Sequence, residues 1–301
     1  LDVVISAVMD KLYDSTFEMN ATMKSNQQVG PGISYELAKR NAFRGAEKVS
    51  FKIFGSYEWQ TGKNAGGRNS LLNSYELGTQ LAFKFPRFIC PGVARRRARR
   101  YQASTQFALD ADWKNRSKFF NMVTFGLSGK YHWYRRETSQ HDLTFFSLDF
   151  DRLNHTTATF DSIMNANPAL YVSMRNQFIP SLSYTFTYQS RSWRTNPWWM
   201  QFSIKEAGNL TSSIYAIGGK GFNRRDKELL GNPFAQFIKV TAELHKKYRL
   251  TPTSYLAARV FGGVIYSYGN STSAPYADQF YVGGAISVRA FTVRTIGPGA
   301  Y

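Results

Sequence analysis

The 301-residue chain of 34.3 kDa is 43% hydrophobic and 16% aromatic, with a net charge of +18 and a mean hydropathy of −0.38, yet no stretch approaches the roughly 18 consecutive apolar residues of a membrane helix. A helical membrane protein is therefore excluded. The positive charge would suit a nucleic-acid or anionic-surface binder, but Lys and Arg are dispersed along the chain except at 94–100 and no nucleic-acid fold signature accompanies them, so nucleic acid is not expected as a partner.

The chain opens on "LDVVISAV" without a basic n-region or small-residue cleavage site, and reads as an excerpt from a longer precursor. Residues 12–23 alternate, with Tyr13, Phe17, Met19, Ala21 and Met23 on one side and Asp14, Thr16, Glu18 and Asn20 on the other. Period 2 is the signature of a strand with one apolar face. A second strand is predicted at 31–40. From Val49 to Gln60 the odd positions are Val49, Phe51, Ile53, Gly55, Tyr57 and Trp59, and from Ser74 to Phe85 the apolar odd positions are Tyr75, Leu77, Leu81, Phe83 and Phe85. The Pro-containing "FPRFICPG" then marks a turn, followed by the basic run Arg95, Arg96, Arg97, Arg99 and Arg100. This run reads as a solvated turn, or as a contact for acidic surfaces or lipid headgroups. Cys90 is the single cysteine, and His132, His141, His155 and His245 are widely spaced, so no disulfide, metal or cofactor is expected.

Further alternating segments fall at 103–113, 119–133, 142–150, 181–188, 198–206, 235–247 and 255–268. That makes about eleven strands, most of about ten residues or more, close to the 9–11 that cross a bilayer at a tilt. Paired rings near strand ends (Tyr57 and Trp59, Tyr131 and Trp133, Trp198 and Trp199, Tyr266 and Tyr268) suggest interfacial girdles. The expected fold is all-β, a transmembrane antiparallel barrel, rather than a soluble sandwich. Short links such as "LTPTS" at 250–254 alternate with long ones at 151–177 and 207–233, as periplasmic turns alternate with extracellular loops. "GGKGFN" at 218–223 lacks the Gly-Lys-Ser/Thr pattern of a phosphate loop and is assigned to a loop. Carboxylates and histidines are too scattered for an acid–base pair, and there is no Gly-x-Ser-x-Gly elbow, so no enzyme is expected.

The segment after the last strand, "GNSTSAPYADQFYVGGAISVRAFTVRTIGPGAY", carries Gly283-Gly284, Val288-Arg289-Ala290-Phe291, Arg294 and Gly297-Pro298-Gly299. It resembles the sixth extracellular loop of BamA/TamA-type insertases, whose signature is Val-Arg-Gly-Phe or Val-Arg-Gly-Tyr after Gly-Gly. Ala290 departs from the commoner glycine, and the phrase looks closest to the lipoprotein-type TamL branch. Residues 1–8 resemble the last strand of a POTRA domain, and Arg40–Glu58 resembles the second turn and third strand of the barrel. The implied organisation is the end of a POTRA domain and linker at 1–11, then a barrel from 12 to 301 that holds about eleven of sixteen strands. The closing strands, about five, would lie outside this sequence.

What the resemblance implies is an assembly factor in a Gram-negative outer membrane. It would fold client β-barrel proteins without ATP, together with membrane lipids and accessory proteins or lipoproteins. The first strand would be the gate, and Arg289 a latch that pairs with inward acids, a geometry that suits guanidinium better than ammonium. The alternatives are a two-partner-secretion-type polypeptide transporter and a porin-like channel.

Overall fold

The computed structural model describes residues 11–23, 28–60, 74–90, 102–116, 120–158, 161–162, 165, 176–191, 195–219, 221–275, 277–283 and 288. The strands are β1 (Tyr13–Met23), β2 (Gln28–Arg40), β3 (Lys48–Gln60), β4 (Ser74–Phe85), β5 (Ala103–Arg116), β6 (Phe120–Arg136), β7 (Ser139–Thr156), β8 (Gln177–Gln189) and β9 (Trp198–Ala207). After β9 come helix α1 (Asn209–Ile217), a small hairpin of β10 (Glu228–Leu229) and β11 (Asn232–Pro233), and then β12 (Phe237–Arg249) and β13 (Tyr255–Ser267). The eleven long strands form one antiparallel sheet in the order β1 to β9, β12, β13.

Each long strand therefore pairs with its neighbour in sequence, apart from the excursion between β9 and β12. Antiparallel neighbours can be joined by as little as the two-residue turn between β6 and β7, and longer links such as that between β4 and β5 leave the same order intact. The registers add a steady stagger. A row of paired residues starting at Tyr13, the first residue of β1, runs through Lys39, Val49, Phe83, Phe107 and Gly129 to Phe146. From the adjacent Ser147 it continues through Ser181, Ala207 and Phe237 to Ser267, the last residue of β13. The row climbs from one end of the strands to the other, which is the tilt and shear that a closed barrel requires.

The two faces differ as the alternation predicts. On the outer face apolar side chains stay open, with Phe17 at 64%, Phe125 at 53% and Val264 at 70% exposure. A continuous apolar surface of this extent is a liability in water and the natural boundary with hydrocarbon. On the inner face polar side chains satisfy one another across strands. The Gln80 amide donates to Asp110 at 2.7 Å, Thr124 to Asp151 at 3.0 Å and Arg116 to Glu58 at 3.1 Å.

The structure departs from the sequence reading in three places. β6 and β7 run to 17 and 18 residues and are joined by Glu137 and Thr138 alone, where a break between 133 and 142 was expected. The ladder between them shifts register at three points, and each extra residue interrupts the local alternation that marks a strand. The long link at 207–233 contains α1, which no sequence signal announced: its N-cap is Gly208, with no side chain to bond the first N–H groups, and "NLTSSIYAI" is rich in β-branched and hydroxyl residues. Finally, Trp198 and Trp199 do not form one girdle. Trp198 lies on the outer face against Tyr188 at 4.7 Å, whereas Trp199 faces inward, 4.6 Å from the ring of His245.

A small buried core of Ile179, Ala207, Ala235 and Phe237, with Ile265 against it, sits at the end of the sheet that carries the long loops. The segment from Tyr268 onward folds back at this place.

Candidate functional site in the loop after the last strand

Lys205 on β9 and Lys239 on β12 are directly opposite each other in register, both on the inner face. Two like charges in that position repel, so the pairing is destabilising unless an anion lies between them. Asp278, from the loop after β13, is that anion. Both of its carboxylate oxygens accept from Lys205 Nζ at 2.9 Å, while Lys239 Nζ donates to its backbone carbonyl at 2.6 Å and stands 3.8 Å from the carboxylate. The Asp278 side chain is 11% exposed. Partial burial lowers the local dielectric and strengthens these charge-assisted bonds.

Two residues on, Phe280 lies against the same wall. Its ring is 5.0 Å from Lys239 Nζ and 6.2 Å from the ring of Phe261. The ring occupies the space above Gly263, where an added Cβ would come within 2.4 Å of Phe280 Cζ, so the glycine is what allows the loop to approach the strand. Asp278 sits in a turn whose N–H donates to the Pro275 carbonyl at 3.0 Å, and this turn brings both Asp278 and Phe280 to the same wall.

Beside this clamp, a buried polar network ties three connecting segments together. Gln236 is fully buried: its side-chain oxygen accepts from Ser212 of α1 at 2.9 Å and from the Asn270 N–H at 3.0 Å, and its own N–H donates to Ser271 Oγ at 2.8 Å. Asn270 donates to the carbonyls of Lys227 and Phe234 at 2.8 and 3.0 Å. Lys227 is 1% exposed; its ammonium donates to Ser212 Oγ at 2.8 Å and to the Phe222 carbonyl, and lies over the rings of Phe222 and Phe234. Burial lowers its pKa below the ordinary lysine value, and neighbouring Asp226 offsets this in part. Because each bond joins a different segment, the start of the loop is fixed to α1 and to the strand entering β12.

Of the residues singled out from sequence, Gly283 and Val288 line a cleft of about 870 Å³ on the inner wall, together with Lys205, Lys239 and Phe280. Gly283 has φ 101°, a conformation that glycine adopts readily and other residues do not. Gly284, Arg289, Ala290, Phe291, Arg294, Gly297, Pro298 and Gly299 lie outside the described residues, as do Arg95, Arg96, Arg97, Arg99 and Arg100. On β1, Tyr13, Phe17, Met19 and Ala21 are exposed along one face; Met23 ends the strand and only its backbone is described. The opposite face of β1 bonds to β2 through Asp14 with Arg40 at 3.0 Å and Glu18 with Ser34 at 3.1 Å.

Asp278, Lys205, Lys239, Phe280, Gln236, Asn270 and Lys227 were not singled out. One signal was present for Asp278, which is the only acid between Gly269 and Tyr301. Lys205 and Lys239 could be assigned to the inner face by alternation, but their register was not legible.

Comparison with known proteins agrees with this architecture. A family model described as the Omp85 superfamily domain matches residues 61–301. The Sorting and assembly machinery component 50 homolog A of Xenopus laevis is 40% identical over 62 residues, which is 21% of this chain and 13% of that protein's length. An apolar outer face, a staggered all-antiparallel sheet and a loop seated on its inner wall thus coincide with a family match over most of the sequence, and the chain belongs to the Omp85 superfamily.

Proposed function

We propose that this chain forms part of the barrel of an outer-membrane protein assembly factor in a Gram-negative bacterium, which inserts client β-barrel proteins without ATP and without chemical catalysis. β1 is the seam: its edge templates client strands by β-augmentation, and the client's apolar face then enters lipid. The driving force is burial of that face together with backbone hydrogen bonds that lipid alone cannot satisfy. The loop is held in the lumen while the seam opens, with Arg289 and Asp278 as its two charged anchors. Its partners are lipids, unfolded clients and accessory assembly proteins or lipoproteins, not nucleic acid.

The observation that carries this reading is the loop seated on the inner wall by Asp278 between Lys205 and Lys239, taken with the Omp85 match. The test is to reconstitute the full-length protein in nucleotide-free liposomes, add a urea-unfolded client barrel, and follow its heat-modifiable folded form. Faster folding than in empty liposomes is expected. No acceleration, or acceleration only with ATP, overturns the proposal. Arg289→Ala is expected to lower barrel stability and client assembly together, Arg289→Lys to restore them in part, and Arg294→Ala to have little effect.

A further inference from the structure

The two rims of the sheet carry different outward charge. At the rim that holds the start of β1 and the β6–β7 turn, the outward strand positions hold Lys39, Arg135, Arg136 and Lys246 and, among the described residues, no acid. Lys39 pairs with Tyr13 and its ammonium lies 5.7 Å from that ring. Lys246 pairs with Trp198 and donates to the Asn196 carbonyl at 3.4 Å. Arg135 follows Trp133 by two residues, and the register shift there sets Arg136 opposite Ser139, an outward position. Among the described residues, no carboxylate forms an ion pair with Lys39, Arg135, Arg136 or Lys246. Asp14 and Arg40, at the same level, face inward and pair with each other. At the opposite rim the outward charged strand residues, among those described, are Arg152 and Glu206, one of each sign.

Height decides what these cations meet. Aromatic residues with polar edges mark the boundary between hydrocarbon and headgroups. At this rim the boundary is drawn by Tyr13, Trp133 and Trp198, with Phe88 packed edge-on against Tyr131 and Trp133 at 5.3 and 5.9 Å. Lys39 and Lys246 are level with those rings. Arg135 lies one outward position further, about 7 Å along a strand and about 5 Å along the membrane normal once the strand tilts. The headgroup layer is about 5–8 Å deep on each side. Arg135 therefore lies at phosphate depth, and Lys39 and Lys246 are within a side chain's reach of it, all on the lipid side of the wall and not on the turns where a protein in the aqueous phase would dock.

We infer that this rim is a binding ring for anionic phospholipid headgroups of the leaflet it faces. The inference rests on the assembly-factor reading only for naming that leaflet periplasmic. It is tested with full-length protein in bilayers of equimolar phosphatidylglycerol and phosphatidylethanolamine, extracted gently, with retained lipid counted by mass spectrometry. Each cation near an anionic surface contributes about a fivefold preference at most, so the parent is expected to retain phosphatidylglycerol several-fold over phosphatidylethanolamine. The variant with Lys39→Gln, Arg135→Gln, Arg136→Gln and Lys246→Gln should fall to near parity. The charge-keeping swaps Lys39→Arg, Arg135→Lys, Arg136→Lys and Lys246→Arg should keep the preference, as should Arg224→Gln with Arg225→Gln in the long loop. Heat-modifiable mobility establishes that each variant is folded. Parity in the parent, or an undiminished preference in the glutamine variant, overturns the inference. If the parent shows parity and the glutamine variant still loses client assembly in purely phosphatidylethanolamine bilayers, the cations meet an acidic protein surface instead. Lipid retention is read without any client, so its failure is separate from failure of the assembly activity.

Discussion

Lys205 and Lys239 could not stand opposite each other at no cost without Asp278, and this makes the aspartate the most informative residue of the loop. An exposed ion pair contributes at most about 1 kcal/mol, whereas removing one partner of a buried pair costs about 3–5. Asp278 is mostly buried and Lys205 is 27% exposed, so Asp278→Asn is expected to cost roughly 2 kcal/mol, between those limits. Thermal unfolding in detergent measures it. Combining Asp278→Asn with Lys205→Met should recover part of the loss, because one of the two repelling charges is gone; strict additivity in this cycle would mean that the contact carries no energy. Lys227 gives a second prediction. Its native pKa is lowered by burial while the unfolded chain keeps the ordinary value of 10.5, so between the two values the unfolded state binds more protons and stability rises with pH. Lys227→Met has no such group, and the stability of the parent relative to this variant should climb as pH approaches 10.5. A difference that is flat with pH up to that value would show that the ammonium is not desolvated.

At the scale of elements, α1 exists because tertiary contacts hold it. Its N-cap, Gly208, offers no side chain to the first turn, and Ser212 enters the Gln236 network from its buried side. Gly208 starts the helix at φ 73°, with an added Cβ falling 2.3 Å from the Ala235 carbonyl oxygen. Gly208→Ala combines a left-handed backbone, about 1–2 kcal/mol for a residue with Cβ, with a clash against backbone that cannot rotate away. The helix and the segment behind it should loosen together, read as faster proteolysis within 209–236 while the strands stay protected. Protection equal to that of the parent would mean that the helix does not depend on this junction. β1 presents Tyr13, Phe17 and Met19 outward and pairs along its whole length with β2. A disulfide between β1 and the last strand of the complete barrel should stop client insertion until reductant is added, and full activity in the locked form would exclude a seam at β1.

For the whole molecule, the outer face decides the behaviour. Large apolar residues are exposed on ten of the eleven strands, all but β8, so the full-length protein should need detergent and migrate faster on gels before heating than after. A monodisperse, detergent-free monomer would rule out membrane exposure of that face. The stagger from Tyr13 to Ser267 also sets how the sheet sits in the bilayer, since a tilted strand of 10 residues just spans the hydrocarbon and one of 18 outreaches it. The rims therefore lie among headgroups, where the charge asymmetry between them acts.

The existence, number and facing of the long strands were legible in the sequence, because period 2 is local: each residue declares its side without reference to its partner. Val49–Gln60 and Ser74–Phe85 needed only their own alternation. Membership of the superfamily was legible through the residues around Gly283 and Arg289, since such a motif is also read along the chain. What only the tertiary structure decided was anything that depends on register or closure. The opposition of Lys205 and Lys239 follows from which residues pair across two strands that lie 30 positions and a helix apart, and the bulges that lengthen β6 and β7 hide the local pattern where they occur. Asp278 gains its role only when the loop folds back onto that pair. α1 has no strong local preference to announce it, so its helical state follows from burial against Gln236 and Lys227, a context its own sequence does not contain.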